Sequence, residues 1–193
     1  MMPRSLLLLL PLLLALPDAA IANLVVVANA PVQIRLRVGA TGATITTTTV
    51  TVAGGNVGNA AIQSMTAPAS ARTGSVCAAN HVFFNAEARA APPGSRTATL
   101  TANSTSGMAC TTAATCGADN IPFTQVDWIN TTPGGYAPVT IPAGTFSGAG
   151  AQVILTFNNS NQSQDCLRFR YLNQNIVRQG TYRGDVIYTL TMP

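Results

Sequence analysis

Apolar and polar residues alternate along most of this chain. From Leu24 the even positions read Leu24, Val26, Ala28, Ala30, Val32, Ile34, Leu36 and Val38, while the odd positions beyond Pro31 include Gln33, Arg35 and Arg37. A period of two marks a half-buried strand, here a long one with a break point at Asn29–Pro31. Thr44–Val52 is rich in Thr and Val, which favour strands, and Gly54-Gly55-Asn56 closes it with turn chemistry. Residues 56–75 are small and Ala- and Ser-rich and read as a long connection, with or without a short strand. Val82, Phe84, Ala86, Ala88 and Ala90 alternate with Asn85, Glu87 and Arg89. The turn Pro92-Pro93-Gly94 then leads into Arg96–Ala102, a pair that reads as an antiparallel hairpin.

The remainder continues in the same period. Asn103–Asn120 reads as a loop, Ile121–Ile129 as a strand, and Val139–Gly144 as a short edge-like piece after the turn Pro133-Gly134-Gly135. Ala151–Phe157 alternates, Asn158–Gln164 reads as a polar loop, and Leu167, Phe169 and Tyr171 oppose Cys166, Arg168 and Arg170. Tyr182, Gly184, Val186, Tyr188, Leu190 and Met192 form a last apolar face. No helix-period stretch of useful length follows the N-terminal leader. Many strands separated by turns predict an all-β chain, an antiparallel immunoglobulin-like β-sandwich, with a barrel as the alternative architecture.

The first residues change the picture. Arg4 precedes the apolar block Leu6–Leu16, interrupted by Pro11, and Pro17-Asp18-Ala19 leads into Ala20-Ile21-Ala22. A basic start, a short apolar core and a small-x-small site predict a cleaved secretory signal peptide over 1–22. Pro11, Pro17 and Asp18 interrupt the block before the roughly 20 apolar residues a span requires. Residues 23–193 then form a single sandwich domain beginning at Asn23, in a secreted, periplasmic or cell-surface location.

Composition narrows the options further. Charged residues are 8% of the chain and hydrophobic ones 47%, and the 10 basic residues are all Arg. Cleavage would remove Arg4 and Asp18 together, so the net charge stays +4, modest and dispersed, without a nucleic-acid signature. An even count of 4 cysteines behind a signal peptide predicts two disulfides. Three pairings exist. The short spacing favours Cys110–Cys116, which leaves Cys77–Cys166. Because Cys166 lies opposite Leu167, Phe169 and Tyr171, the long link is expected near the rim rather than through the core.

Candidate chemistry is sparse. The sequence presents no metal-ligand spacing such as CxxC, no cofactor motif, and no GxSxG, HExxH or phosphate-cradling glycine loop. His81 is the only histidine and reads as a polar-face residue; the acids Glu87, Asp119, Asp127, Asp165 and Asp185 are scattered. A glycosidase pair would have to assemble in space. Trp128 reads as a core anchor rather than a sugar platform, and Arg35, Arg37, Arg168 and Arg170 as a solvated sheet face rather than an anion site. Arg183-Gly184-Asp185 falls inside a strand pattern, away from the loop tip an adhesive tripeptide needs. Sequons begin at Asn103, Asn130, Asn158 and Asn161.

The C-terminal run Gly180-Thr181-Tyr182-Arg183-Gly184-Asp185-Val186-Ile187-Tyr188-Thr189-Leu190-Thr191 resembles the closing strand of bacterial pilins and of WxL-type cell-surface domains. The alternating strand before a proline, Leu24–Val32, resembles the start of alternate-class chaperone–usher pilins. The resemblance covers about forty residues at the two ends. The chain departs from it in its four cysteines and in ending Met192-Pro193. The resemblance implies a non-enzymatic structural or adhesive subunit without cofactors. Its partners are other copies or a periplasmic chaperone, bound by strand addition. Leu24, Val26, Ala28 and Ala30 would be the residues that enter a neighbour's groove. The alternatives are a stand-alone secreted binding module for cell-surface glycans and, third, a hydrolase.

Overall fold

The computed structural model describes residues 24–26, 32–39, 48–68, 71–72, 75–131 and 138–193. The expected leader over 1–22 and its expected cleavage site, and also Ala28 and Ala30, lie outside the described residues. In chain order the strands are β1 Leu24–Val26, β2 Gln33–Val38, β3 Thr49–Val52, β4 Gln63–Ser64, β5 Ala71–Arg72, β6 Ser75–Val76, β7 Val82–Arg89 and β8 Thr97–Asn103. They continue as β9 Met108–Cys110, β10 Asn120–Ile121, β11 Val126–Asn130, β12 Gly144–Thr145, β13 Gln152–Asn158, β14 Asn161–Tyr171, β15 Gly180–Arg183 and β16 Ile187–Thr191. Among the described residues one α-helical turn, Ala113–Cys116, and two 3₁₀ turns, Gly54–Asn56 and Phe123–Gln125, interrupt them. Among the described residues no helix is long and apolar enough to cross a membrane.

The chain is all-β, with antiparallel sheets. A seven-stranded sheet has the order β1-β2-β7-β14-β11-β12, with β4 also on β14; a four-stranded sheet runs β10-β9-β15-β3, and a three-stranded one β13-β8-β16. Strand β7 sits between β2 and β14, in registers such as Leu36↔Ala86 and Ser163↔Ala86. Its even residues Val82, Phe84, Ala86 and Ala88 join one buried cluster, to which β8 contributes Ala98, Leu100 and Ala102. Phe84 meets Tyr188 edge-on with ring centroids 4.9 Å apart, so a residue of the seven-stranded sheet packs on one of the three-stranded sheet. Phe146 ties the other side of the core together, stacking on Phe169 at 5.9 Å and meeting Trp128 at 4.8 Å. Phe84, Phe146, Phe169 and Trp128 are buried, and burying such a side chain contributes about 1.5–3 kcal/mol.

Three expectations are corrected. Asn103–Asn120, expected as a loop, holds strand β9 and the start of β10, which pair with each other, and β9 also pairs with β15. Strands β7 and β8 are not hairpin partners: β7 pairs with β2 and β14, β8 with β13 and β16. The turn at Pro92-Pro93-Gly94 instead carries the chain from one sheet to another, because both edges of β7 are already taken. The polar stretch Asn161–Gln164 is strand rather than loop, since it pairs with Asn85–Ala88 of β7. The ladder satisfies its backbone whatever its side chains, and tertiary pairing overrides composition.

Strand β1 does not continue β2 but pairs with it antiparallel, setting Leu24 opposite Leu36, Val25 opposite Arg35 and Val26 opposite Ile34.

Candidate functional site

The final strand pattern, Gly180 to Thr191, runs through two environments. Its first part, β15, lies between β3 and β9. Its second part, β16, pairs with β8 from Ile187↔Asn103 to Thr191↔Thr99, and among the described residues with no strand on its other side. The inward positions are the even ones, as the alternation predicts: Tyr182, Leu190 and Met192 are buried. Val186 and Tyr188 are only partly covered, although they pack on the core. The Tyr188 residue keeps some exposure, yet its phenol lies deep enough that burial pushes the hydroxyl far above its ordinary range. In the seven-stranded sheet, Ile34, Leu36 and Val38 of β2 are likewise half-buried against the same core. Partly covered apolar residues therefore occur on β2 and β16, next to or at the edges of their sheets. The sequence announced their facing; it held no signal for how far they are covered, which depends on strands far away in the chain.

Of the residues expected to serve a neighbour, Leu24 and Val26 lie in β1 and pair within their own chain. Both disulfides link the pairs favoured by spacing. Cys77 and Cys166 have Cα atoms 5.5 Å apart, and Cys110 and Cys116 5.8 Å. Cys166 stands opposite Phe83 in the ladder, on the face away from Leu167 and Phe169. Cys77 and Phe83 are buried without belonging to the main core cluster, so the long link fastens an outer-face cover to β14. The short link closes the one-turn helix beside β15, where a side chain at Gly180 would collide with Cys116 Sγ.

Of the four candidate arginines, Arg170, Arg168 and Arg35 have separate partners. The Arg170 guanidinium donates to both oxygens of Asp127 at 2.9 and 2.5 Å, and this bonding raises its pKa further. Arg168 donates to Ser64 Oγ, and Arg35 stands 4.0 Å from Glu87, which also pairs with Arg89. Asp119 accepts from the Arg178 backbone N–H at 2.8 Å and from its guanidinium at 3.1 Å. The backbone bond, then the Arg178 charge, hold the Asp119 carboxyl below its ordinary value against some desolvation. His81 Nδ1 donates to the Ala79 carbonyl at 2.7 Å. Trp128 is buried, its indole N–H donating to Pro142 O at 2.8 Å. Gly184 of the Arg-Gly-Asp run lies against Gly107 O and Phe123, with no space for a Cβ.

Two features went unread in the sequence. Asp165 is fully buried and accepts from Asn130 Nδ2 at 2.5 Å, from Ile141 N at 3.1 Å and from Ser163 Oγ. Extending the odd parity of Leu167 and Phe169 backward would have placed Ser163 and Asp165 on the core face. A buried carboxylate saturated by three donors is a structural pin for the segment carrying Ile141. The second feature is a pair of tyrosine braces. Tyr182 OH donates to Arg178 O at 2.7 Å and Tyr171 OH to Asn175 O at 3.3 Å, tying down the connection between β14 and β15. Burial raises the pKa of both phenols.

No family model, curated protein or solved structure matches this chain.

Proposed function

We propose that the chain is a secreted structural or adhesive subunit with an immunoglobulin-like sandwich, resembling fimbrial pilins and assembling by strand addition. An immunoglobulin-like sandwich carries strands A, B, E and D in one sheet and C, F and G in the other. With β2, β7, β8, β11, β14 and β15–β16 taken as A to F, the orders β2-β7-β14-β11 and β8-β16 reproduce A-B-E-D and C-F. The Tyr182 bond to the carbonyl four residues upstream matches the tyrosine corner of such domains. The two disulfides suit an oxidising, exported setting.

The observation that carries the function is the free side of β16. In a complete sandwich strand G would lie there; among the described residues nothing pairs with it. An edge of this kind, with half-covered Val186 and Tyr188 beneath it, is a template for an added strand. The donor in this reading is the segment of a second copy containing Leu24, Val26, Ala28 and Ala30, or a strand of a chaperone. The pairing of β1 with β2 favours a second reading, a stand-alone secreted binding module that completes its own sheet.

Size-exclusion chromatography with thermal melting, on exported protein with and without residues 23–30, separates the two. The assembling subunit forms polymers that the truncated chain, still folded, cannot form. A chain that stays monomeric at high concentration, and loses about 3–6 kcal/mol on truncation as two apolar residues leave its own core, is the stand-alone module.

A further inference from the structure

We infer that the pairing of β1 with β2 is a latch that holds the donor segment on its own subunit until exchange. This inference rests on the strand-addition reading and concerns its regulation. The residues that reading assigns to the neighbour, Leu24 and Val26, are the ones held opposite Leu36 and Ile34 in the same chain. In that reading the donated segment leaves β2 of its own subunit to lie along β16 of a second copy. Occupation of β2 and donation to a second copy therefore compete.

The geometry sets a graded competition. Strand β1 is three residues long and outermost in its sheet. That is shorter than the mean strand of about 5–6 residues, and such edge elements open at a small part of the global stability. Its advantage is tethering: an intramolecular partner acts at an effective concentration on the order of mM. A second copy wins only by offering a longer contact. Meanwhile the latch covers the backbone edge of β2, which would otherwise invite unspecific pairing. Strand β1 thus protects the home edge before exchange and leaves it when it is donated.

A metal clamp tests the latch. Val25 and Arg35 are directly opposed, and Val25 has the opposite parity to Leu24 and Val26. Opposed Cβ atoms lie about 4.5–5.5 Å apart, within reach of one ion bridging two imidazoles. The double variant Val25→His/Arg35→His is followed on the exported chain by light scattering, with nickel ions added and then removed by EDTA. Calorimetry measures nickel binding alongside.

The latch predicts that about one nickel ion binds per chain, more tightly than to either single variant. Assembly then slows roughly tenfold or more, as about 1.4 kcal/mol of extra hairpin stability would produce, and EDTA restores it. Nickel binding no tighter than that of the single variants, or tight binding with unchanged assembly, overturns the latch. A second variant reads the opposite direction without touching either strand. A flexible Gly/Ser insertion after Pro31 lowers the effective concentration of β1 at β2 and should speed exchange; an unchanged or slower rate overturns the proposal. A wild-type chain that never assembles, with or without nickel, defeats the strand-addition reading itself and the latch with it. A chain that assembles but ignores both variants defeats the latch alone.

Discussion

Strands β15 and β16 share one alternating pattern, yet they end in different states. On β15, Tyr182 is fully buried between neighbours on both sides, its hydroxyl satisfied by Arg178 O at 2.7 Å. Gly180 and Gly184 leave no space for a Cβ against Cys116 and Gly107. On β16, Tyr188 occupies the same parity and packs on Phe84, but it and Val186 remain partly covered, and the backbone pairs on one side among the described residues. Alternation tells which side of a strand faces the core. It does not tell whether a further strand closes that core. The sealed half is where stability is concentrated; the half-open one is where the proposed assembly takes place.

The largest contrast should come from truncating the two tyrosines. Tyr182→Ala is expected to cost about 3–5 kcal/mol in denaturant unfolding, the range for emptying a buried aromatic site. Tyr188→Ala should cost clearly less in the monomer and weaken self-association instead. Equal losses of monomer stability would erase the distinction.

Next come the disulfides. Chain-entropy arguments give about 4–5 kcal/mol for a link of sequence separation 89 and about 2 kcal/mol for one of separation 6. Paired Cys→Ala variants, Cys77 with Cys166 and Cys110 with Cys116, compared by melting, should fall in that order. The short ring should act locally, loosening β15 beside Gly180 while leaving β14 unaffected. A smaller effect is expected of Tyr182→Phe, which keeps the ring and removes one hydrogen bond, about 1 kcal/mol.

The smallest concerns Asp119. Its folded pKa lies below the ordinary carboxylate value. Its contribution to stability is therefore present above the unfolded pKa and is lost as pH falls through the folded one. Asp119→Asn should flatten the acid limb of the stability profile at its lower end, and the difference should shrink at high salt, since the ion pair with Arg178 is exposed. An acid limb identical to that of the parent chain would show that Arg178 gives no net support.

Much of the sheet structure was legible because burial on one face forces a period of two. Val82–Ala88, Leu167–Tyr171 and Tyr182–Met192 all face as their parity requires. The short cysteine pair followed from its spacing and the long one from what remained. What stayed hidden depended on neighbours distant in sequence. Pro92-Pro93-Gly94 announces a reversal without saying that the next strand joins another sheet. Asn161–Gln164 looks like loop until β7 supplies its ladder. Asp165 breaks the composition rule for a core position because Asn130, Ser163 and Ile141 satisfy it. The half-covered residues of the candidate site, Val186 and Tyr188, are ordinary strand residues by sequence, and what distinguishes them is that β16 pairs on one side only among the described residues.

The proposal at the centre of this account is that the side of β16 left unpaired among the described residues accepts the N-terminal segment of a second copy. It is tested most directly by adding a synthetic peptide of residues 23–30 to the chain lacking those residues and following backbone hydrogen exchange. The account predicts a concentration-dependent rise in Tm, with new protection of the Ile187–Thr191 amides that face away from β8. Unchanged exchange along β16 at saturating peptide, or protection appearing only on β2, would contradict it.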